Sequence, residues 1–213
     1  MSGEAIASHE RSGSSRGYGT GARLFHWVIA LMVVVQIPVG IAMTSEPLLG
    51  VGDSLFILHK GMGSVLLVLV VGRVLWRVTH PPPPFPDFMP RLEQRIAGSA
   101  HIVIYILLLV MAVSGYVRTI GDGFPIELLD ALGIPPLIPP MPRAARIMLV
   151  VHQFAVVALI ALVAVHISAV VRHQWIDRNP VLTRMWPPFG AGKADAEGSS
   201  RAPLTYTASS AHD

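Results

Sequence analysis

Residues 147–171 read IMLVVHQFAVVALIALVAVHISAVV, a run with no acidic or basic side chain and with two histidines, His152 and His166. A helix needs about 20 apolar residues to cross a bilayer, so the stretch is long enough to span one. The step of fourteen residues from one histidine to the other turns the helix through nearly four whole turns. That sets both imidazoles on one face, roughly 21 Å apart along the axis. The separation is too large for one shared metal ion. It suits two separate ligand positions, one towards each face of a hydrocarbon core about 30 Å thick.

Three further apolar runs precede this one, at about 24–43, 56–78 and 98–118, each near spanning length. None alternates apolar with polar residues as a barrel strand would, so the spans are expected to be helices. The fold class expected is all-α, a transmembrane four-helix bundle over residues 21–187 with both termini cytoplasmic. Of 213 residues 52% are hydrophobic and 14% charged, whereas soluble domains carry about 25% charged residues. The mean hydropathy is +0.57. Residues 1–20 are polar and Gly/Ser-rich, with no apolar stretch of the kind a cleavable signal carries, and read as a disordered cytoplasmic tail. Residues 188–213, rich in Gly, Ala and Ser, read as a second disordered tail. Residues 79–96 form a stiff link through THPPPPFPDFMP, and 119–146 a longer insert with IPPLIPPMP, expected to pack over one mouth of the bundle.

Basic residues orient the bundle. One side collects Arg11, Arg16, Arg23, Arg73, Arg77, Arg91, Arg95, Arg172, Arg178 and Arg184, the other only Lys60, Arg118, Arg143 and Arg146. The richer side, which holds both termini, is cytoplasmic. The formal charge of +3 therefore serves topology, and no nucleic-acid partner is expected.

The chain has no cysteine. This excludes thiolate-held iron–sulfur clusters, Cys-type zinc sites and covalent c-type haem attachment. A haem here is held non-covalently through His or Met. By depth, His26 and His166 lie near the cytoplasmic side, while His59 and His152 open their runs on the outer side. Bis-His ligation takes nitrogens on opposite faces of the ring, hence from facing helices. The pairs His26/His166 and His59/His152 meet that need, and two stacked b-type haems follow. A lone intramembrane histidine reads equally well as a hydrogen-bonded structural residue. Four at matched depths do not.

Other residues carry weaker signals. Gly40, Gly61, Gly63 and Gly115 give a flat macrocycle room, although ordinary small-residue packing explains them as well. His101 and His173, on the cytoplasmic side, are candidates to donate to a quinone carbonyl or relay its protons. Against that stands an interfacial histidine bonded to backbone. Arg23, one turn before His26, is a candidate for a haem propionate. Lys60, beside His59, is the candidate for holding a propionate or drawing an anion to the haem edge. Arg73 and Arg77 read first as snorkelling anchors, and Trp27, Trp76, Trp175 and Trp186 as an interfacial belt. His80 reads as a solvated loop residue, and His9 and His212 as tail residues.

At these positions the chain resembles the prokaryotic cytochrome b561 family of four-helix dihaem membrane proteins. The likeness lies in RLFHW at 23–27, HKGMG at 59–63, AHIVIYILLLVMAVSGY at 100–116, the His-x13-His spacing, and DRNPVLTRMWP at 177–187. It covers about residues 21–187. The resemblance implies a quinone-linked electron carrier of the bacterial inner membrane, with His26, His59, His152 and His166 as haem ligands. At least one member of the family acts as a superoxide oxidase, releasing dioxygen at the periplasmic face and reducing ubiquinone. Carried over, superoxide meets the haem of His59 and His152. Electrons then pass to the haem of His26 and His166, and on to a quinone near His101 and His173. The protein's own part is placement and tuning of potential. The outer face is not basic by count, since Glu46, Asp53, Asp122, Glu127 and Asp130 face its four cations.

Two other classes compete. One is a cytochrome b anchor carrying electrons from a soluble dehydrogenase or hydrogenase partner to quinone, with 119–146 as its docking surface. The other is a haem-free transition-metal transporter, which would want acidic partners at midplane depth. The spans offer almost none.

Overall fold

The computed structural model describes residues 17–45, 51–85, 89–179 and 181–186. The tail segments 1–16 and 188–213, with His9 and His212, lie outside it, as do Arg11, Arg16 and Glu46. Four long helices carry the fold: α1 (Thr20–Ala42), α2 (Gly52–Thr79), α3 (Arg91–Gly121) and α4 (Pro142–Val171). Each has a stretch long and apolar enough to cross a membrane, with mean hydropathy from 2.0 to 2.8. No strand occurs among the described residues.

The helices outrun the apolar runs that announce them. α3 begins at Arg91 rather than near 98, and α4 at Pro142 rather than near 147. Hydropathy marks where hydrocarbon begins, whereas the backbone ladder continues through residues that favour helix, such as RLEQRIAG at 91–98. Pro142 starts α4 at a position where its missing N–H leaves no bond unmade. At its other end α4 runs into a single π-type turn, Arg172–Ile176.

α3 packs along α4, and α2 packs along both α1 and α3, while α4 does not pack closely along α1 or α2. One core layer joins all four, with Ile29 and Val33, Leu66 and Val70, Leu108 and Met111, Ala155 and Leu159. Leu31, Val68, Ile102 and Phe154 point outward and are exposed, as lipid-facing side chains of a bundle are.

Both ends are closed by loops. At the inner end, residues 181–186 fold back beneath α1. The Tyr18 N–H donates to the Arg184 carbonyl (3.0 Å), and the Arg184 guanidinium donates to the Pro84 carbonyl (2.6 Å). Trp27 Nε1 donates to the Met185 carbonyl (2.9 Å). Residues 17–20 are thus ordered and belong to the bundle, not to the tail expected at 1–20. All four tryptophans fall at this inner end. The ring of His80, which ends α2, stacks on Trp76 with centroids 4.0 Å apart. At the outer end a short helix, Glu127–Ala131, lies against α2. The Met141 N–H donates to the Gly121 carbonyl (2.7 Å), closing the entry to α4.

Candidate haem-binding site

The outer histidines come together. The rings of His59 and His152 have centroids 6.2 Å apart with planes at 84°. Two imidazoles on opposite sides of one metal ion, with metal–nitrogen bonds of about 2 Å, place their ring centres roughly 6 Å apart. His152 Nδ1 donates to the Met111 carbonyl (3.0 Å) and approaches the Ser114 hydroxyl (3.2 Å). A carbonyl only accepts, so the proton sits on Nδ1 and leaves the Nε2 lone pair for a metal. His59 Nδ1 is buried without a hydrogen-bond partner among the described residues. The His59 carbonyl accepts from Gln36 Nε2 (2.7 Å), an amide buried in the bundle.

Two glycines make room for the rings. A Cβ on Gly40 would stand 2.9 Å from His59 Cε1, and one on Gly115 would stand 3.2 Å from His152 Cε1. Sequence leaves Gly40 and Gly115 open to ordinary small-residue packing as well as to a macrocycle; in the structure the space beside them is taken by the imidazoles themselves. Gly61 instead lies under Leu128, and Gly63 faces the Gln36 amide.

At the inner end His26, His101, His166 and Arg73 share one neighbourhood, in which the ring of His26 lies against Trp27 and not against His166. The His101 and His166 rings are 5.4 Å apart, edge to face. His101 Nδ1 donates to the Ala97 carbonyl (2.7 Å), which leaves its Nε2 as the acceptor. Arg73 is not a snorkelling anchor. It is 8% exposed and donates to the Ala22 carbonyl (2.8 Å) and the Tyr105 hydroxyl (3.1 Å). Arg73 sits at the inner end of α2, where the openings of α1 and α3 offer those acceptors inside the bundle. Arg23 is 2% exposed and donates to the Thr20 hydroxyl (3.2 Å). Arg77 alone of the α2 pair stays half-exposed, over the Tyr18 ring.

His173 follows His166 by seven residues, about two turns further towards the inner surface. It lies in the π-type turn with Nδ1 3.1 Å from the Asp177 carboxylate. Lys60 is engaged as well. Its side chain is 3% exposed, and Nζ donates to the Glu127 carboxylate (2.8 Å) and the Pro125 carbonyl (2.8 Å). It thereby ties the 119–146 insert down over the outer end of α2. Arg118 pairs with Asp122. Arg143 and Arg146, at the outer end of α4, are exposed and in no ion pair with a described residue.

The hydrogen bond from Lys60 holds the Glu127 carboxyl below the usual carboxylate range. A depressed folded-state pKa contributes stability above the unfolded value, and that contribution fades as pH falls through the folded one. Glu127→Gln therefore lowers thermal stability in detergent at pH 7, within about 1 kcal/mol because the carboxylate is partly solvated. The difference from the parent shrinks below the ordinary carboxylate pKa. A difference unchanged down to strongly acid pH would show that the ion pair is not its source.

Ser114, Met111, Gln36 and Tyr105 were not singled out by sequence. A serine next to Gly115 in an otherwise apolar span was the one available signal, since polar groups at that depth need a partner. Acidic residues in the four helices are confined to their ends, at Asp53 and Glu93, so a metal path through midplane carboxylates has no support.

Comparison with known proteins agrees with this architecture. Residues 17–188 match the family described as prokaryotic cytochrome b561. Cytochrome b561 homolog 2 of Escherichia coli K12 is 30% identical over 79% of this chain and 90% of its own length. Cytochrome b561 homolog 1 of the same organism is 23% identical over 76% and 92%. A protein of Yersinia pestis named as a probable superoxide oxidase, CybB, is 27% identical over 76% and 91%. With four spanning helices and a family match across the whole bundle, the chain belongs to the prokaryotic cytochrome b561 family and is a multi-pass b-type haem protein of the bacterial inner membrane.

Proposed function

We propose that the chain holds two haem b groups, one between His26 and His166 and one between His59 and His152. In this reading it transfers electrons from an outer-face donor, superoxide, to membrane ubiquinone. The observation that carries the reading is the outer pair, with ring centres 6.2 Å apart and the His152 proton committed to Nδ1, so that both imidazoles could hold one haem. Bound there, haem supplies reversible one-electron transfer through the bundle.

The chain's own residues do the rest. Arg23 and Arg73 bring buried positive charge to the inner histidines, suited to propionates. Two superoxide anions give up one electron each and leave as dioxygen, while ubiquinone takes two electrons and two protons to become ubiquinol. His101, with Nε2 as its acceptor, and His173, with Nδ1 3.1 Å from the Asp177 carboxylate, pass those protons from the inner surface in this reading. Lys60, tied to Glu127 and Pro125, shapes the outer mouth beside His59. Arg143 and Arg146 supply the unpaired positive charge that draws an anion to that face. The Yersinia relative's name supports superoxide as the donor.

The test is superoxide-driven reduction of ubiquinone by the purified protein. One ubiquinol per two superoxide anions consumed is expected, with a rate that falls as salt rises. Consumption of superoxide with no ubiquinol formed would overturn the donor–acceptor assignment. The anchor reading draws on Leu132, Ile134 and Leu137, which are exposed on the outer insert. It predicts a soluble redox subunit that purifies with the chain in fixed ratio.

A further inference from the structure

We infer that Ser114 is a positioning residue for the outer haem, setting the proton and ring plane of His152 and through them the potential of that haem. The inference rests on the proposal that His59 and His152 ligate a haem. Ser114 is 2% exposed, inside α3 and facing the bundle, where a hydroxyl has no water to turn to. Its Oγ–H donates to the Met111 carbonyl one turn earlier (3.1 Å), and its oxygen lies 3.2 Å from His152 Nδ1. The same Met111 carbonyl takes the Nδ1 proton at 3.0 Å. Imidazole, hydroxyl and carbonyl thus close a triangle, in which the Nδ1 proton is shared between two acceptors and the hydroxyl proton is spent on the third corner. The neighbouring Gly115 leaves the ring its place, since a Cβ there would stand 3.2 Å from Cε1.

The arrangement is one-sided. His59 Nδ1 has no hydrogen-bond partner among the described residues, and no side-chain hydrogen bond to a described residue is made by His26 or His166. A ring N–H that donates to oxygen makes the opposite nitrogen a more basic ligand, which favours ferric over ferrous iron. The ligand so treated is His152, in the outer pair. The outer haem is therefore held at the lower potential of the two, and an electron entering there runs downhill towards the inner one.

The test uses the full-length protein in detergent, with potentiometric titration of both haems and the ferric low-spin electron paramagnetic resonance spectrum, whose largest g value responds to the angle between ligand planes. Ser114→Ala is expected to keep both haems. It should raise the midpoint of one by up to about tenfold in the ferrous-to-ferric ratio at fixed potential, 59 mV for a one-electron couple. The largest g value of that haem should shift while the other haem keeps its signals. Ser114→Thr, which keeps the hydroxyl, should retain the parent midpoint. Unchanged midpoints and g values in Ser114→Ala would overturn the inference, as would equal shifts in the Ala and Thr variants, which assign the effect to packing. A parent protein with no haem on His59 and His152 would fail the underlying proposal instead, and the haem count of the parent separates the two cases.

Discussion

Replacing His152 with alanine is expected to halve the haem held by each polypeptide, from about two to about one, while the remaining haem keeps its spectrum and potential. The expectation follows from the geometry of α4. His152 and His166 sit on one continuous helix, roughly 21 Å apart, so each serves a different pair. Sites that far apart, with no shared partner, respond independently within a few tenths of a kcal/mol. His166→Ala should remove the other haem, and the double variant both. The Ser114 and Met111 acceptors lose their donor in His152→Ala, but the Ser114 hydroxyl keeps its bond to the Met111 carbonyl, so α3 stays intact. Haem per chain by pyridine haemochrome, with circular dichroism as the check on folding, measures this directly. If His152→Ala kept both haems, the proposed pairing would be wrong.

The second large effect is expected at Gly40. An added Cβ there meets His59 Cε1 at 2.9 Å, a distance real side chains do not keep. α1 cannot simply retreat, because Gln36, one turn earlier, holds the His59 carbonyl. The ring of His59 must therefore leave its place. Gly40→Ala is expected to weaken outer haem binding by about 10- to 100-fold, the range found when the support of a metal ligand is removed. Gly115→Ala, where the contact is 3.2 Å, should act in the same direction but less strongly. Gly98→Ala is the control. Nothing lies within 4 Å of its added Cβ, and alanine suits a helix better than glycine does. Haem titration into the apoprotein of each variant checks the order. Equal haem affinity in the Gly40 and Gly98 variants would show that His59 does not need its ring where it stands.

Much of this architecture is legible in residue order. Four apolar runs of spanning length announce α1 to α4, because a lipid-facing helix must be apolar all round. Depth along each run matches His59 with His152, because the rise per residue is fixed in a helix. What sequence does not carry is the direction in which a long polar side chain turns at a helix end. Arg73 looks like any snorkelling arginine until the Ala22 carbonyl and Tyr105 hydroxyl stand beside it. Lys60 looks like a free cation until the insert brings Glu127 over it. Both depend on partners more than thirty positions away. Ser114 and Gly40 were hidden differently. A small residue in a span has an ordinary packing explanation, and only the position of an imidazole on a neighbouring helix separates that from support of a ligand.

The central claim is that four histidines on three helices hold two haems at different depths. The most direct measurement is the dithionite-reduced minus oxidised spectrum of the purified protein, with haem counted per polypeptide. Two low-spin b-type haems per chain are predicted, resolved into two midpoints by titration. One haem per chain, or none in a folded, membrane-extracted sample, would contradict the claim.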